Sequence, residues 1–250
     1  MVARRDILDW CDVQLAVGNF KDYAPNGLQV EGKPDVQRIV CAVTASQAAI
    51  EVAVAQQADM LLVHHGLFWK SEPIGIVGWK KRRIQTLLDH ELNLVGYHLP
   101  LDAHAQWGNN AQLAAHMDWQ IERQTGEQNL LMLGTLAAPQ SASELAHQLA
   151  VKLARPPLLL CADNHQRIQR LAWCTGGAQG FFQAAIDLGV DAFITGEVSE
   201  AQYHLAQENS VAFYAAGHHA TERYGVQALG HALATQFGVS VAFFDEPNPV

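Results

Sequence analysis

Asp59-Met-Leu-Leu-Val-His-His-Gly66 is the stretch on which the reading of this chain turns. Its apolar residues 60–63 have the length of a short buried strand, and Gly66 marks a sharp exit. Open α/β sheets gather their ligands where strands end at the carboxyl edge. His64 and His65 stand at such an edge, and neutral imidazole is a common ligand for first-row metals. A bare histidine pair is equally a strand end satisfied by ordinary hydrogen bonds. Neighbours along a strand point to opposite faces. Both rings therefore reach one cleft only where the strand breaks at Gly66, and there they can serve different ions.

Outward from this stretch the pattern alternates strand and helix. Residues 39–43 read as a strand. Thr44-Ala-Ser-Gln47 has capping-box spacing and opens an Ala-rich helix to about Gln57. Residues 60–64 form the next strand, and 66–78 are a loop rich in glycine and aromatics. A helix over 80–90 and a strand over 94–98 follow. A loop then carries Pro100 and Asp102, and Asn109-Asn110 caps a helix to about Met117.

The second half echoes the first. Leu171-Ala-Trp-Cys-Thr175 resembles Val40-Cys-Ala-Val-Thr44, and Asp191-Ala-Phe-Ile-Thr-Gly196 resembles Asp59 to His64. Val211-Ala-Phe-Tyr-Ala-Ala-Gly-His218 echoes Leu94-Val-Gly-Tyr-His98. Between the copies, 130–136 reads as a strand, and Ser141-Ala-Ser-Glu144 opens a helix that Pro156-Pro157 stops. A short strand over 158–161 follows. The expected fold is α/β, with two similar units related by duplication and packed around a metal-binding cleft. Residues 1–125 form the first unit and 126–250 the second. The two are intertwined because the C-terminal segment returns to the cleft.

Composition narrows the classes of function. The formal charge is −9, with 16 Lys plus Arg against 25 Asp plus Glu. Duplex binding rests on phosphate neutralisation, so this balance disfavours a dedicated nucleic-acid binder. One basic run, Lys80-Lys81-Arg82-Arg83, reads as the solvated start of a helix or a local phosphate-facing patch. No apolar run approaches the ~18 residues of a membrane span. The N-terminus reads as an amphipathic helix with Ile7, Cys11 and Leu15 on one face, so the expected location is cytoplasmic. The four cysteines form no Cys-x-x-Cys pair. Cys41 and Cys174 sit in apolar runs and read as core residues.

Three strand ends carry metal-type ligands: His64-His65, then Asp102 beyond His98, then Gly217-His-His-Ala-Thr-Glu222. In a helix, His218 and Glu222 are four residues apart and share a face. A carboxylate there can bridge two ions, and Asp102 supplies a second anionic oxygen. Three histidines and two carboxylates are too few to close two coordination shells. That pattern suits a reactive site better than a structural one.

These residues carry a resemblance. Asp22-Tyr-Ala-Pro-Asn-Gly-Leu-Gln-Val-Glu-Gly32, Val63-His-His-Gly66, His98-Leu-Pro-Leu-Asp102, Gly108-Asn-Asn110, Thr195-Gly-Glu197 and Gly217-His-His-Ala-Thr-Glu222 resemble the Nif-three-like dinuclear metal-centre proteins. Members of that family are often labelled GTP cyclohydrolase 1 type 2 homologues. The likeness spans almost the whole chain and is close to a short enterobacterial branch named for radiation resistance, which lacks the inserted middle domain of longer members. All five family ligands have counterparts: His64, His65, Asp102, His218 and Glu222. The resemblance implies two divalent metal ions per chain (zinc, iron, manganese, nickel or cobalt) and a toroidal homo-hexamer with its metal sites facing the cavity. It implies no settled reaction.

Other residues have open roles. His98 and His104 flank Asp102 and either orient it, shuttle protons or supply loop polarity. His219 neighbours a ligand as a supporting group or proton donor. Phe68-Trp69 either stack on a ring substrate or pack their loop. Glu197 takes the second-copy position of His65, as a general base or a cap on Gly196. The leading functional expectation is a metal-dependent hydrolase acting on a nucleotide or related heterocycle through a metal-activated water. The alternative is a non-enzymatic metal-binding ring scaffold, contacting single-stranded DNA or a protein partner.

Overall fold

A computed structural model describes residues 1–250. The chain divides into two compact units, Met1–Gly108 with Gly225–Pro247, and Asn109–Tyr224 with Asn248–Val250.

In the first unit, a two-residue ribbon joins β1 (Val2–Ala3) to β3 (Asp35–Val36), and α1 spans Arg4–Gln14. The main sheet uses β2 (Gly27–Val30), β4 (Arg38–Thr44), β5 (Met60–His65) and β6 (Asn93–Gly96). Its order is Ser240–Phe243, β4, β5, β6, β2, and only β2 runs antiparallel to its neighbour. Ile39 through Val43 and Met60 through Val63 are all buried. Such continuous burial is expected of parallel strands covered on both faces. Alternate residues divide between two cores. Ile39, Cys41, Met60 and Leu62 pack with Ile7 and Cys11 of α1 and with Val226, Leu229 and Leu233. Val40, Ala42, Leu61 and Val63 pack against α2 (Gln47–Ala55) and α3 (Gly78–Asp89).

Two local expectations change here. The cap of α2 is Ser46, whose Oγ accepts from Ala49 N at 3.0 Å. Thr44 instead turns its hydroxyl to His65. Pro100 and Asp102 lie in a short helix, α4 (Leu99–Ala103), and not in a loop. Proline is tolerated in the first turn, where its missing N–H costs nothing.

The second unit opens with α5 (Asn109–Met117). Its sheet uses β7 (Gln120–Thr125), β8 (Leu131–Ser141), β9 (Leu158–Leu160), β10 (Arg167–Trp173), β11 (Ala192–Thr195) and β12 (Ala212–Ala215). The order is β7-β8-β10-β11-β12-β9, with β10, β11 and β12 mutually parallel. One face packs α5 and α6 (Ala142–Leu153) against Trp173, Ile194 and Tyr214. On β11, β12 and α7 (Phe182–Asp187), Phe193, Phe213 and Phe182 form an aromatic trio with centroids 4.9–5.8 Å apart. Helix α8 (Ala201–Asn209) connects β11 to β12.

The first unit's opening segment closes at Gly108 and the second begins at Asn109. The physical reason is pairing: β7 hydrogen-bonds antiparallel along β8, which binds 120–125 to the second sheet. The chain leaves the second unit inside α9 (His218–Phe237), between Tyr224 and Gly225, and its last strand, β13 (Ser240–Phe243), joins the first sheet. The repeated core is β4-β5-β6 against β10-β11-β12. Asp59 N donates to Arg38 O at 2.8 Å and Asp191 N to Arg170 O at 2.9 Å, in the same place in each copy.

Candidate metal centre

The first unit supplies His64, His65 and Asp102. His64, one residue before the end of β5, is fully buried, and its Nδ1 lies 2.9 Å from the carbonyl oxygen of Tyr97. A carbonyl only accepts, so Nδ1 carries the hydrogen and Nε2 presents a lone pair. That nitrogen lies 3.4 Å from Asp102 Oδ1. Asp102 is itself buried on α4, so this is a dry pairing of nitrogen and oxygen donors. His65 is half-buried, with Nδ1 3.2 Å from Thr44 Oγ1. The two rings reach the same side because the strand ends there, as Gly66 requires: their centroids are 4.5 Å apart.

His98 joins this group. Ligand atoms of His64, His65 and His98 lie within 4.8 Å of one another. The signal is present in the sequence, since His98 follows the end of β6 as the histidine pair closes β5. The group that aims it, Asp22, lies far away in sequence. Asp22 Oδ1 lies 2.8 Å from His98 Nδ1 and also accepts from Ala24 N, while Oδ2 takes Asn26 Nδ2 and Leu99 N. Asn26 Oδ1 in turn accepts from His98 N at 2.7 Å. Burial alone would raise the Asp22 carboxyl, but His98 and these donors hold it well below the usual carboxylate range. Trp69 stands edge-on to His98 at 5.2 Å, and Tyr23 at 4.9 Å, so aromatic rings border the cluster.

In the second unit, His218 and Glu222 lie on the first turns of α9. His218 Nε2 lies 3.1 Å from Glu222 Oε2, the i, i+4 spacing expected. His218 Nδ1 lies 2.7 Å from Glu197 Oε1. Burial would lower the imidazole, but the hydrogen bonds and charges of Glu222 and Glu197 outweigh it and raise its pKa to about 9. The ring thus stands between two carboxylates, one at each nitrogen. A cation in place of the Nε2 proton meets the same imidazole and the same carboxylate. Gly176, at φ +69°, leaves the room that this pair needs: a Cβ there would fall 3.1 Å from His218 Nε2. Asn110 does more than open α5. Buried, its Oδ1 accepts from Thr175 N at 2.9 Å and its carbonyl from Trp173 Nε1, fixing the end of β10 beside this loop.

The remaining candidates are engaged elsewhere. His104 stacks on Trp107 at 4.6 Å, and its Nδ1 accepts from Trp107 N, which makes it a turn-former. Burial lowers its pKa. His219 is buried, with its backbone N donating to Val250 O. In the basic run, Lys80 is buried against Glu72 at 2.8 Å and Arg83 lies over the Trp79 ring, leaving Lys81 and Arg82 as its exposed members.

Residues 2–249 match the model of the family described as Duf34/NIF3 (NGG1p interacting factor 3). The chain belongs to the NIF3 family. Among NIF3 relatives, a Neisseria meningitidis serogroup A protein called GTP cyclohydrolase 1 type 2 homolog is 57% identical over 249 residues, covering 100% of both chains. A Pseudomonas aeruginosa protein of the same name is 49% identical, covering 99% of each. A solved structure described as protein ybgI, of unknown function, superposes with a TM-score of 0.96 at 48% identity over 100% of both chains. A crystal structure from Thermus thermophilus does so at 0.89 and 32% identity, again over 100% of both. The expected family and α/β class therefore hold. The NIF3 chain carries His/Asp/Glu groups able to hold a metal. No helix is long and apolar enough to cross a membrane.

Proposed function

We propose that this NIF3 protein is a dinuclear metal-dependent hydrolase acting on a nucleotide or related heterocycle. Its ligands are His64, His65, Asp102, His218 and Glu222. The observation that carries the reading is the way the imidazoles are held. Tyr97 O fixes Nδ1 of His64 and Glu197 fixes Nδ1 of His218, so each ring is aimed through Nε2. Metal-bound histidines are held in this way, with the far nitrogen tied to a carbonyl or carboxylate. The donor set is mixed nitrogen and oxygen, which suits zinc, iron, manganese, nickel or cobalt. Two divalent ions so held would supply an activated water at neutral pH and a Lewis acid for a substrate oxygen.

The chain's own residues do the rest. Asp102 and Glu222 are buried carboxylates that offset the charge of two cations. The Nδ1 ties pre-set ring orientation and tautomer, so no side chain must reorganise as an ion arrives. The Trp69 and Tyr23 rings, 5.9 Å apart beside His98, suit a small planar substrate better than a polymer, in keeping with the formal charge of −9.

The deciding experiment is a screen of metal-reconstituted protein on normal and damaged nucleotides, with Glu222→Ala as control. Turnover should fall by more than the ~100-fold that loss of a supporting group costs, with the fold intact by circular dichroism. Failure of the wild type across the panel would overturn the hydrolase. Lost assembly without any turnover would favour a metal-binding scaffold. The same reading carries a homo-hexameric ring, which native mass spectrometry tests directly.

A further inference from the structure

The duplicated strand pairs line up residue by residue. Leu61 pairs with Val40 in β4, and Phe193 with Ala172 in β10. Tyr97 N donates to Val63 O at 3.0 Å, and Ala216 N donates to Thr195 O at 2.8 Å. Val63 therefore corresponds to Thr195, His64 to Gly196 and His65 to Glu197. The first copy ends its middle strand in two histidines. The second ends the same strand in glycine and glutamate.

Each replacement has a visible consequence. At Gly196 a Cβ would fall 2.6 Å from His218 Cα and 2.8 Å from His218 N. A histidine cannot stand there, because the start of α9 fills the space that its side chain would take. One residue on, Glu197 reaches the helix that moved in. Its Oε1 lies 2.7 Å from His218 Nδ1, while Oε2 is 3.4 Å from Gln179 Nε2. The carboxylate is more exposed than the ring that it holds, at 39% against 27%.

We infer that Glu197 is the positioning residue of His218. It occupies a duplicated ligand position but serves the centre through the imidazole. It fixes the Nδ1–H tautomer, aims Nε2 and raises the basicity of the ring toward a cation. This inference rests on the metal reading above and assigns Glu197 neither as a ligand nor as a general base.

The test uses Zn²⁺ and Co²⁺ on the full-length protein. Zinc affinity is measured by competition with a chromophoric chelator for wild type, Glu197→Gln and Glu197→Ala. Loss of such a supporting partner costs about 10–100-fold in affinity. The alanine variant should lie at the upper end of that range. The glutamine variant should lie at the lower end, because its amide oxygen still accepts from Nδ1–H but lacks the charge. Zinc stoichiometry should stay at the wild-type value in both. In ¹⁵N–¹H spectra of the zinc-loaded protein, the His218 Nδ1–H resonance should move upfield in Glu197→Gln and exchange away in Glu197→Ala. The cobalt absorption band should keep its coordination-number signature throughout.

Unchanged affinity and an unmoved resonance in both variants would overturn the inference and leave the metal reading standing. Loss of one zinc equivalent, with a changed cobalt coordination number, would also overturn it by making Glu197 a ligand. A wild type that binds neither ion would overturn the metal reading and this inference together.

Discussion

Asp59 and Asp191 perform the same task in the two halves of the chain. Oδ2 of Asp59 accepts from Gln37 N and Arg38 N at 2.9 and 3.0 Å, the amides that open β4. Oδ2 of Asp191 accepts from Gln169 N and Arg170 N at 2.9 and 2.8 Å, amides in the middle of β10 where its pairing with β8 shifts register. In each copy one carboxylate thus ties two parallel strands together at the end opposite the candidate ligands. Alanine at either position should cost about 1–3 kcal/mol, the usual penalty for removing a charged acceptor from amides that folding has taken out of water. Asparagine should recover part of it. Urea unfolding midpoints at neutral pH measure both. A neutral result at Asp191 would mean that the device is structural in only one copy.

The same carboxylate gives a signed pH dependence. Burial alone would raise Asp59, but the Gln37 and Arg38 amides and then Lys33 outweigh it, holding the carboxyl below its ordinary 3.8. A folded pKa below the unfolded one means stability that is full above the unfolded value and lost as pH falls through the folded one. The stability gap between wild type and Asp59→Asn should therefore be constant from pH 7 down to about 5 and narrow below about 4. Paired urea titrations across that range check it. A gap that widened on acidification would have the wrong sign.

Tyr97 separates a side chain's contribution from a backbone one. Its carbonyl holds His64 Nδ1, while its hydroxyl donates to Asp12 Oδ1 on α1 at 2.9 Å. Tyr97→Phe removes the second bond and leaves the first. Stability should drop by about 1.5–3 kcal/mol, the value of a bond to a charged group, and zinc affinity should hold within about twofold, well short of the tenfold or more that a lost partner costs. A large fall in affinity would show that α1 controls where the carbonyl points.

The strands and their alternation with helices were legible because they follow from apolar runs and spacing, and strand-end chemistry pointed to the candidate ligands. The pattern 60–63 is buried throughout, as a two-faced parallel strand must be. What stayed hidden was nonlocal or had no side-chain signature. A backbone carbonyl such as that of Tyr97 leaves no mark in the sequence. Asp22 lies 76 positions from the ring that it holds. The Thr44–Gln47 spacing fitted a capping box, yet Ser46 won because its hydroxyl sits one residue before the first helical turn. The pairing that ties β7 to β8 is likewise nonlocal, and composition does not encode it. At Ser141 spacing and structure agree: the hydroxyl accepts from Glu144 N, and the Glu144 carboxylate takes Ser141 N at 2.7 Å.

Gly196 tests whether the second copy needs its gap. The atoms that a Cβ would meet belong to the backbone: His218 Cα at 2.6 Å and Gly176 O at 2.7 Å. Neither is the free end of a flexible side chain, so Gly196→Ala must displace either the start of α9 or the loop after β10. Overpacking of this kind costs about 1–3 kcal/mol. The displaced groups carry His218 and face Glu222, so zinc affinity should fall by at least about tenfold, as when a supporting partner is lost. Gly180→Ala is the matched control. It lies in the same unit with nothing within 4 Å of its added Cβ, so its stability should be unchanged or up to about 1 kcal/mol higher through the stiffer unfolded chain. Thermal melts and zinc competition on the two variants decide the matter: equal affinities would show that α9 tolerates a methyl group where the first copy carries a histidine.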